Sequence, residues 1–274
     1  MSNLQSEKSG AFGQRLRKHM NVNVSKEWAD LLLIVCFYIS GLIDSVAFNV
    51  WSCFVSMQTG NTIFVGLGVS NQPYSAAPFG WAKSLTAIGC FIVGAFSFAN
   101  FHRRFGPTKR WVLVTSFGFQ ALMIAIAAIL ATAGVVSNNI KNDRQYIAGT
   151  GSYIVHVKEI EWKDLAPLAI LAFQGSGQIV VSRLLKYNEL PTVVLTSLFC
   201  DLMSDAKLLT APLQENPQRN RRAVAAICLF LGATCGGYLT ISWAGLAGAL
   251  WIASFLKGCI TFACLVWSQE KEKS

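Results

Sequence analysis

Six long apolar runs constrain this chain more than any other feature of its sequence. Each run is close to the ~20 residues that an α-helix needs to cross roughly 30 Å of bilayer hydrocarbon. Because lipid offers no partner for backbone N–H and C=O groups, runs of this length cross as helices. They cover residues 28–50, 81–101, 111–134, 165–186, 221–243 and 245–267. The sequence therefore predicts an all-α integral membrane protein, with the lipid bilayer as its first partner.

The composition agrees with this class and excludes others. Of the 274 residues, 53% are hydrophobic and 14% are charged, whereas a soluble domain carries about a quarter charged residues. The net charge of +9 could indicate nucleic-acid binding. However, the basic residues gather in short segments beside the apolar runs, which is typical of cytoplasmic loops. We therefore expect no nucleic-acid partner.

The cysteines and histidines show no pattern that indicates chemistry. The eight cysteines lie singly, mostly within apolar runs, and they form no Cys-x-x-Cys pair and no metal-binding spacing with the three histidines. Scattered cysteines of this kind are typical of small buried hydrophobic residues. All three histidines lie outside the predicted spans, which leaves a Ser-His-Asp arrangement without support. We therefore expect no catalytic residue, no metal, no cofactor and no enzymatic activity.

Two shorter apolar runs, at about 55–69 and 192–209, follow the first and fourth long runs. If all eight runs crossed, with the basic N-terminus inside, the 102–110 loop would place four Lys and Arg side chains outside, against the positive-inside rule. If the six long runs alone cross, this loop and both termini are cytoplasmic, and segment 135–164 is outside. We therefore predict that the short runs form re-entrant or half-crossing helices.

The two halves of the chain follow the same plan, at an offset of about half the chain length. Each half reads as a long span, a short run that begins with polar residues, and two long spans, and Thr59 falls on Thr196. Three crossings per half would invert one half relative to the other, which is a common transporter plan. The predicted organisation is a disordered basic tail at 1–27, repeats at 28–134 and 165–267 around the 135–164 loop, and a tail at 268–274.

Two motifs carry a resemblance to a known family. They are Gly41-Leu-Ile-Asp44-Ser-Val-Ala-Phe48 and Gln58-Thr-Gly-Asn61. With Phe54 and the glycine-containing run 62–68, they resemble the DUF1275 (YoaK-like) membrane proteins, and the long tail and loop resemble a fungal-type member. Segment 191–202 is similar to the family's later motif but carries Ser197 where glycine is usual. The resemblance covers about residues 28–267 and implies a polytopic membrane protein, without a substrate or established site residues.

Asp44 and the turn at Thr59, Gly60 and Asn61 are the first candidate site. An acid within an apolar span is expected to face protein or water, as a proton or cation site, as a contact to a polar substrate, or as a hydrogen-bonded structural acid. Gly60 permits an irregular backbone, which survives at membrane depth where it is buried or lines a cavity. We predict one cavity shared by Asp44 and this turn, approached from the other half by Thr196 and Ser197.

Lys257 is the second candidate, because it interrupts the last apolar run near its middle. A lysine at that depth must pair with an acid, lie in a wet cavity or be neutral, and Asp44 and Asp201 are the candidate partners. Asp201 and Asp205 lie one helical turn apart and could together bind a cation. The polar stretch 174–178 is expected to pack helices together or to line a substrate path.

These features favour a small-solute or ion transporter with its site at the interface between the two halves. A pocket that offers a carboxylate, hydroxyl groups and an amide suits a small polar or cationic solute, or a proton. The alternative is a membrane scaffold or assembly factor that transports nothing.

Overall fold

The computed structural model describes residues 13–25, 27, 29–72, 79–138, 144–147, 152–155 and 161–270. In this part of the chain, six helices are long and apolar enough to cross a membrane, which confirms the predicted fold class. Two shorter helices follow the first and fourth of them. The helices are α1 (Ala29–Trp51), α2 (Gln58–Val69), α3 (Trp81–Phe105), α4 (Arg110–Thr132), α5 (Leu165–Leu184), α6 (Leu195–Met203), α7 (Pro217–Ile241) and α8 (Gly245–Val266).

The two short helices cannot span the hydrocarbon. The 12 residues of α2 and the 9 residues of α6 give lengths of about 18 and 14 Å at 1.5 Å per residue. Between α4 and α5, strands β1 (Arg144–Ile147) and β2 (Ser152–Val155) pair antiparallel. The rest of the predicted 135–164 loop includes residues 139–143, 148–151 and 156–160, which lie outside the described residues.

One end of the helix bundle collects both terminal segments, and we call it the terminal face. Val24 N donates to Thr108 O at 2.9 Å, and Arg110 Nη2 donates to Trp267 O at 2.5 Å. Residues 13–20 are helical, so the predicted disorder of the 1–27 tail does not extend to this part, while residues 1–12 lie outside the described residues. These contacts place both terminal segments at the same end of the bundle as the 102–110 loop, as predicted.

The opposite end of the bundle is the loop face. Here Asn138, which follows α4, accepts from Leu246 N at 3.0 Å through its carbonyl and from Ala247 N at 2.7 Å through its side chain.

One expectation is corrected near the terminal face. His102 was expected to lie outside the spans, but α3 continues beyond the predicted end at 101, so His102 lies in its last turn, where it is fully buried.

Three helix pairs build the bundle: α1 packs against α7, α3 against α5, and α4 against α8, while α2 and α6 lie against α3 and α7. Two of these crossings depend on glycine. A Cβ atom on Gly41 would meet the carbonyl oxygen of Leu229, and one on Gly232 would meet that of Tyr38. A Cβ atom on Gly94 would meet the carbonyl oxygen of Phe173. Small residues let membrane helices approach closely. Because lipid removes the hydrophobic driving force between helices, dispersion contacts at such close crossings hold them together.

The glycines of α7 give a matched test of this packing. We expect Gly232→Ala to destabilise the protein by about 1–3 kcal/mol, because the added methyl group overpacks the α1 crossing. Gly237 has nothing within 4 Å of the position of a Cβ atom, so Gly237→Ala should be neutral or slightly stabilising. Thermal unfolding of the purified variants in detergent measures the difference. Equal melting temperatures for the two variants would contradict the close crossing.

Candidate functional site

Asp44 holds a break in the helical backbone. After α1 ends at Trp51, residues 52–57 are not helical, so their N–H groups need acceptors that a helix would have supplied. Asp44 Oδ1 accepts from Val55 N at 2.8 Å and from Ser56 N at 2.9 Å. The Ser56 hydroxyl donates to Asp44 Oδ2. Asp44 lies about two helical turns before the end of α1, so the chain re-enters the bundle by about 10 Å.

Asn61 binds the same break from the side of α2. Its Oδ1 accepts from Phe54 N at 3.0 Å, and its Nδ2 donates to Phe54 O at 2.6 Å. Gln58 supports it by donating to Val55 O at 2.9 Å. A Cβ atom on Gly60 would lie 2.9 Å from the Phe54 ring, so glycine leaves room for that ring. Asp44 and Asn61, one from each sequence motif, therefore both hydrogen-bond to the backbone of the same re-entrant segment, residues 52–57.

The prediction that Asp44, Thr59 and Thr196 share one cavity is corrected. Asp44 is 2% exposed, whereas Thr59, Thr196 and Ser197 are exposed. Residues two apart on a helix point to nearly opposite sides, so Asn61 faces inward and Thr59 faces outward. On α6 the inward positions are apolar, at Leu198 and Leu202. The four residues do not share the surroundings that the prediction gave them.

Asp201 and Asp205, the predicted cation site, each contact different neighbours. Asp201 lies 3.9 Å from Arg222, and its side chain is 52% exposed. Asp205 accepts from Asn216 Nδ2 at 2.9 Å and from Lys207 N at 2.9 Å. The hydrogen bond from Asn216, followed by that from Lys207, holds the pKa of Asp205 below its ordinary value. Each acid therefore has partners of its own.

Lys257 is fully buried at the meeting point of four helices. Its Nζ donates to Gln120 Oε1 of α4 at 2.8 Å and to Gln178 Oε1 of α5 at 2.7 Å. The sulfur of Cys36, on α1, lies 3.7 Å from the same nitrogen. These three neutral groups can take all three N–H donors of an ammonium. The predicted pairing with Asp44 or Asp201 is not formed, because amides replace the acid.

The amides around Lys257 are themselves positioned by neighbours. Gln178 Nε2 donates to Ser40 Oγ at 2.5 Å. A Cβ atom on Gly177 would lie 2.8 Å from Gln120 Nε2, so a glycine at this position lets the amide approach α5. Gln120, Cys36 and Ser40 were not among the site residues predicted from the sequence. The available signal was the repeat offset, since Gln120 precedes Lys257 by half the length of the chain.

The Lys257 cluster and the Asp44 cluster lie on adjacent helical turns. Ser40 and Asp44 are four residues apart on α1, and Gln174 and Gln178 are four apart on α5, so each pair shares a face. Gly175 lies against Ser56, with 3.4 Å between its Cβ position and Ser56 Cβ. Gln174 Oε1 is buried without a hydrogen-bond partner among the described residues. We call this set the buried polar stripe: Gln120, Lys257, Gln178, Ser40, Gln174, Asp44 and Ser56.

A cavity of about 220 Å³ lies beside the stripe, between α3, α4 and α5. Aromatic rings line most of it, including Phe98, Phe119 and Phe173, and Ser116 contributes a hydroxyl group. Ser116 Oγ accepts from Gln120 Nε2 at 3.4 Å. The cavity therefore adjoins the amide that binds Lys257.

Together these observations define a multi-pass helical membrane protein that buries ionisable and amide side chains between its spans. The chain belongs to the DUF1275 family, whose model, described as a protein of unknown function, matches residues 32–263. The predicted membership of the DUF1275 family is thereby confirmed, and the matched range includes Asp44, Asn61 and Lys257. Comparison with curated proteins and with solved structures gave no match.

Proposed function

We propose that this protein transports a small solute or ion, including a proton, through the interface between its two halves. The observation that carries the proposal is Lys257. It is fully buried in an apolar span, and the described part of the chain pairs no carboxylate with it. An ionisable group at that depth is energetically expensive and marks ion or proton pathways in membrane proteins. Glutamine amides suit both protonation states of lysine, because each amide can accept or donate.

The packing of the bundle supports a binding site between two related halves. Exchanging the halves turns the α1–α7 crossing into the α5–α3 crossing, and leaves α4 packed against α8. Gln120 and Lys257 come from that central pair and lie half a chain length apart, and Gly94 and Gly232 of the outer crossings are separated by nearly the same interval. Transporters built from inverted repeats bind their substrates at such an interface.

The cavity beside the stripe is open at the surface of the bundle, where Phe119 is 45% exposed, and it offers room for a small solute. At about 220 Å³, it exceeds the ~30 Å³ share of a liquid water molecule several-fold. Its aromatic walls and single link to Gln120 through Ser116 suit a compact molecule with both an apolar and a polar part. Asp44 adds a second ionisable group to the stripe, one helical turn from Ser40.

Proteoliposomes containing the purified protein test the proposal directly. We expect uptake of a member of a broad small-molecule panel, or proton flux reported by an internal pH dye, above that of protein-free liposomes. Lys257→Gln should reduce the flux at least tenfold, because glutamine cannot exchange a proton. Lys207→Gln is the matched control, since Lys207 is exposed in the loop after α6.

A non-transporting scaffold predicts a different result. No solute or proton movement would then be seen across the panel, and Lys257→Gln would change stability or the recovery of partner proteins alone. That outcome would overturn the proposed transport.

A further inference from the structure

Two ion pairs clamp two different helix crossings, one at each end of the bundle. On the terminal face, Arg221 near the start of α7 lies 2.6 Å from Asp30 in the first turn of α1. On the loop face, Lys83 in the first turn of α3 lies 3.5 Å from Asp164, the residue directly before α5. Each pair therefore joins the two helices of one glycine-dependent crossing.

The two ion pairs occupy corresponding places in the two halves. Arg221 follows Lys83 at nearly the same interval that separates Lys257 from Gln120, which is the offset of the repeat. Asp30 and Asp164 both lie at the start of the first long helix of their half. Exchanging the halves thus converts one pair into the other, and it moves the pair from one end of the bundle to the opposite end.

Within the described residues, each crossing carries an ion pair at one end alone. At the loop face, α1 and α7 are joined by a neutral contact, with Asn49 Nδ2 lying 3.5 Å from Thr240 Oγ1. At the terminal face, no ion pair among the described residues links α3 to α5. The two crossings are therefore clamped at opposite ends, which is the arrangement that two alternating openings require.

Both clamps lie close to the ends of the buried polar stripe. Ser84, next to Lys83, donates to Cys53 Sγ at 3.8 Å, and Cys53 contacts Asn61, which pairs the re-entrant segment that Asp44 also binds. On the terminal face, Cys36 follows Asp30 by less than two turns along α1, or about 9 Å. Cys36 lies 3.7 Å from Lys257 Nζ.

We propose that these two ion pairs are the gates of an alternating-access cycle. Asp30–Arg221 closes the path from the terminal face to the stripe, and Lys83–Asp164 closes the path from the loop face. One pair breaks while the other holds, so the stripe opens to one side at a time. This inference rests on the proposed function, because it assigns the gates of the same site.

The pairs are suited to breaking and reforming. The side chains of Arg221 and Asp30 are 27% and 15% exposed, and those of Lys83 and Asp164 are 13% and 3% exposed. Arg221, Asp30 and Lys83 regain water when the pairs separate. The buried Asp164 keeps its hydrogen bond from Ser137 N at 3.0 Å and so is not left without a partner. Glu189 at 3.5 Å offers Arg221 a second carboxylate on the terminal face.

Side-specific labelling of Cys36 tests the gates without requiring a known substrate. In full-length protein with the other seven cysteines replaced by serine, Cys36 reports access to Lys257. A membrane-impermeant sulfonated thiosulfonate is applied to one face of proteoliposomes at a time. We expect Asp164→Asn to raise the labelling rate at least tenfold from the loop face alone, and Asp30→Asn to do so from the terminal face alone.

Two further variants separate gating from general loosening. Exchanging the charges, with Lys83→Asp and Asp164→Lys together, should restore the low labelling rate. Asp201→Asn should leave the rate unchanged, because the Asp201–Arg222 pair is a comparable surface contact that clamps neither crossing. A second background that retains Cys53 alone, beside the Asp44 end of the stripe, repeats the test with an independent reporter.

The outcomes distinguish this inference from the proposed function. Labelling that rises from both faces, from the wrong face or not at all overturns the assignment of the gates, even if a solute is transported. Side-specific labelling without transport of any solute or proton supports the gates and overturns the transport proposal instead.

Discussion

An apolar version of the Lys257 cluster is expected to fold at least as stably as the wild type and to lose nearly all of its transport. The variant carries Lys257→Met, Gln120→Leu and Gln178→Leu, which keep roughly the side-chain volumes. Replacing buried charged groups with packed apolar groups of similar size is often neutral, or stabilising by about 1–4 kcal/mol. Transport should fall at least 100-fold, because the variant retains neither the proton-exchanging amine nor its amide partners.

The single substitution Lys257→Met serves as the comparison. It leaves Gln120 Oε1 and Gln178 Oε1 without their donor, and each unsatisfied buried acceptor costs about 1–3 kcal/mol. The single variant should therefore melt below both the wild type and the triple variant. Thermal unfolding in detergent and flux in proteoliposomes are measured on the same preparations. A triple variant that retains transport, or that fails to fold while the single variant folds, would show that the cluster serves packing rather than function.

The membrane class and the eight helices could be read from the sequence because they depend on local properties. Run length and loop charge act along the chain, and neither requires knowledge of which helices touch. The boundaries were less predictable where side chains from elsewhere intervene. The second short helix was predicted to reach residue 209 but ends at Met203. After Met203, Arg219 donates hydrogen bonds to the carbonyl groups of Leu208 and Ala211, and it thereby holds the following loop in a non-helical conformation.

The candidate residues were predicted better than their partners. Asp44 and Lys257 were identified because ionisable groups are expensive within apolar runs. Their partners depend on where the chain re-enters the bundle and on which helices cross, and these are three-dimensional properties. An acid was one of three surroundings predicted for Lys257, yet two amides and a thiol group contact its amine. Thr59 was grouped with Asn61 by proximity in the chain, although the helix separates their side chains.

Removing the carboxylate of Asp44 is the second change with a large expected effect. Asp44→Ala should destabilise the protein by about 2–6 kcal/mol, since it leaves the N–H groups of Val55 and Ser56 buried without an acceptor, at about 1–3 kcal/mol each. Asp44→Asn should stay close to the wild type, because the asparagine oxygen can still accept both N–H groups and Ser56 Oγ can accept from the new amide. The expected order of melting temperatures is therefore wild type, then asparagine, then alanine.

The same two variants separate the structural role of Asp44 from a role in transport. Asp44→Asn keeps the re-entrant segment in place while removing a titratable group from the stripe, so any pH dependence of flux that arises at Asp44 should disappear without loss of folding. Ser45→Ala, at the next position, removes one hydrogen bond to Leu42 O and controls for a general change in α1. If Asp44→Ala and Ser45→Ala have the same melting temperature, the carboxylate does not hold the re-entrant segment in place. If Asp44→Asn keeps both the stability and the pH profile of flux, Asp44 is a structural acid, and proton exchange in the stripe belongs to Lys257.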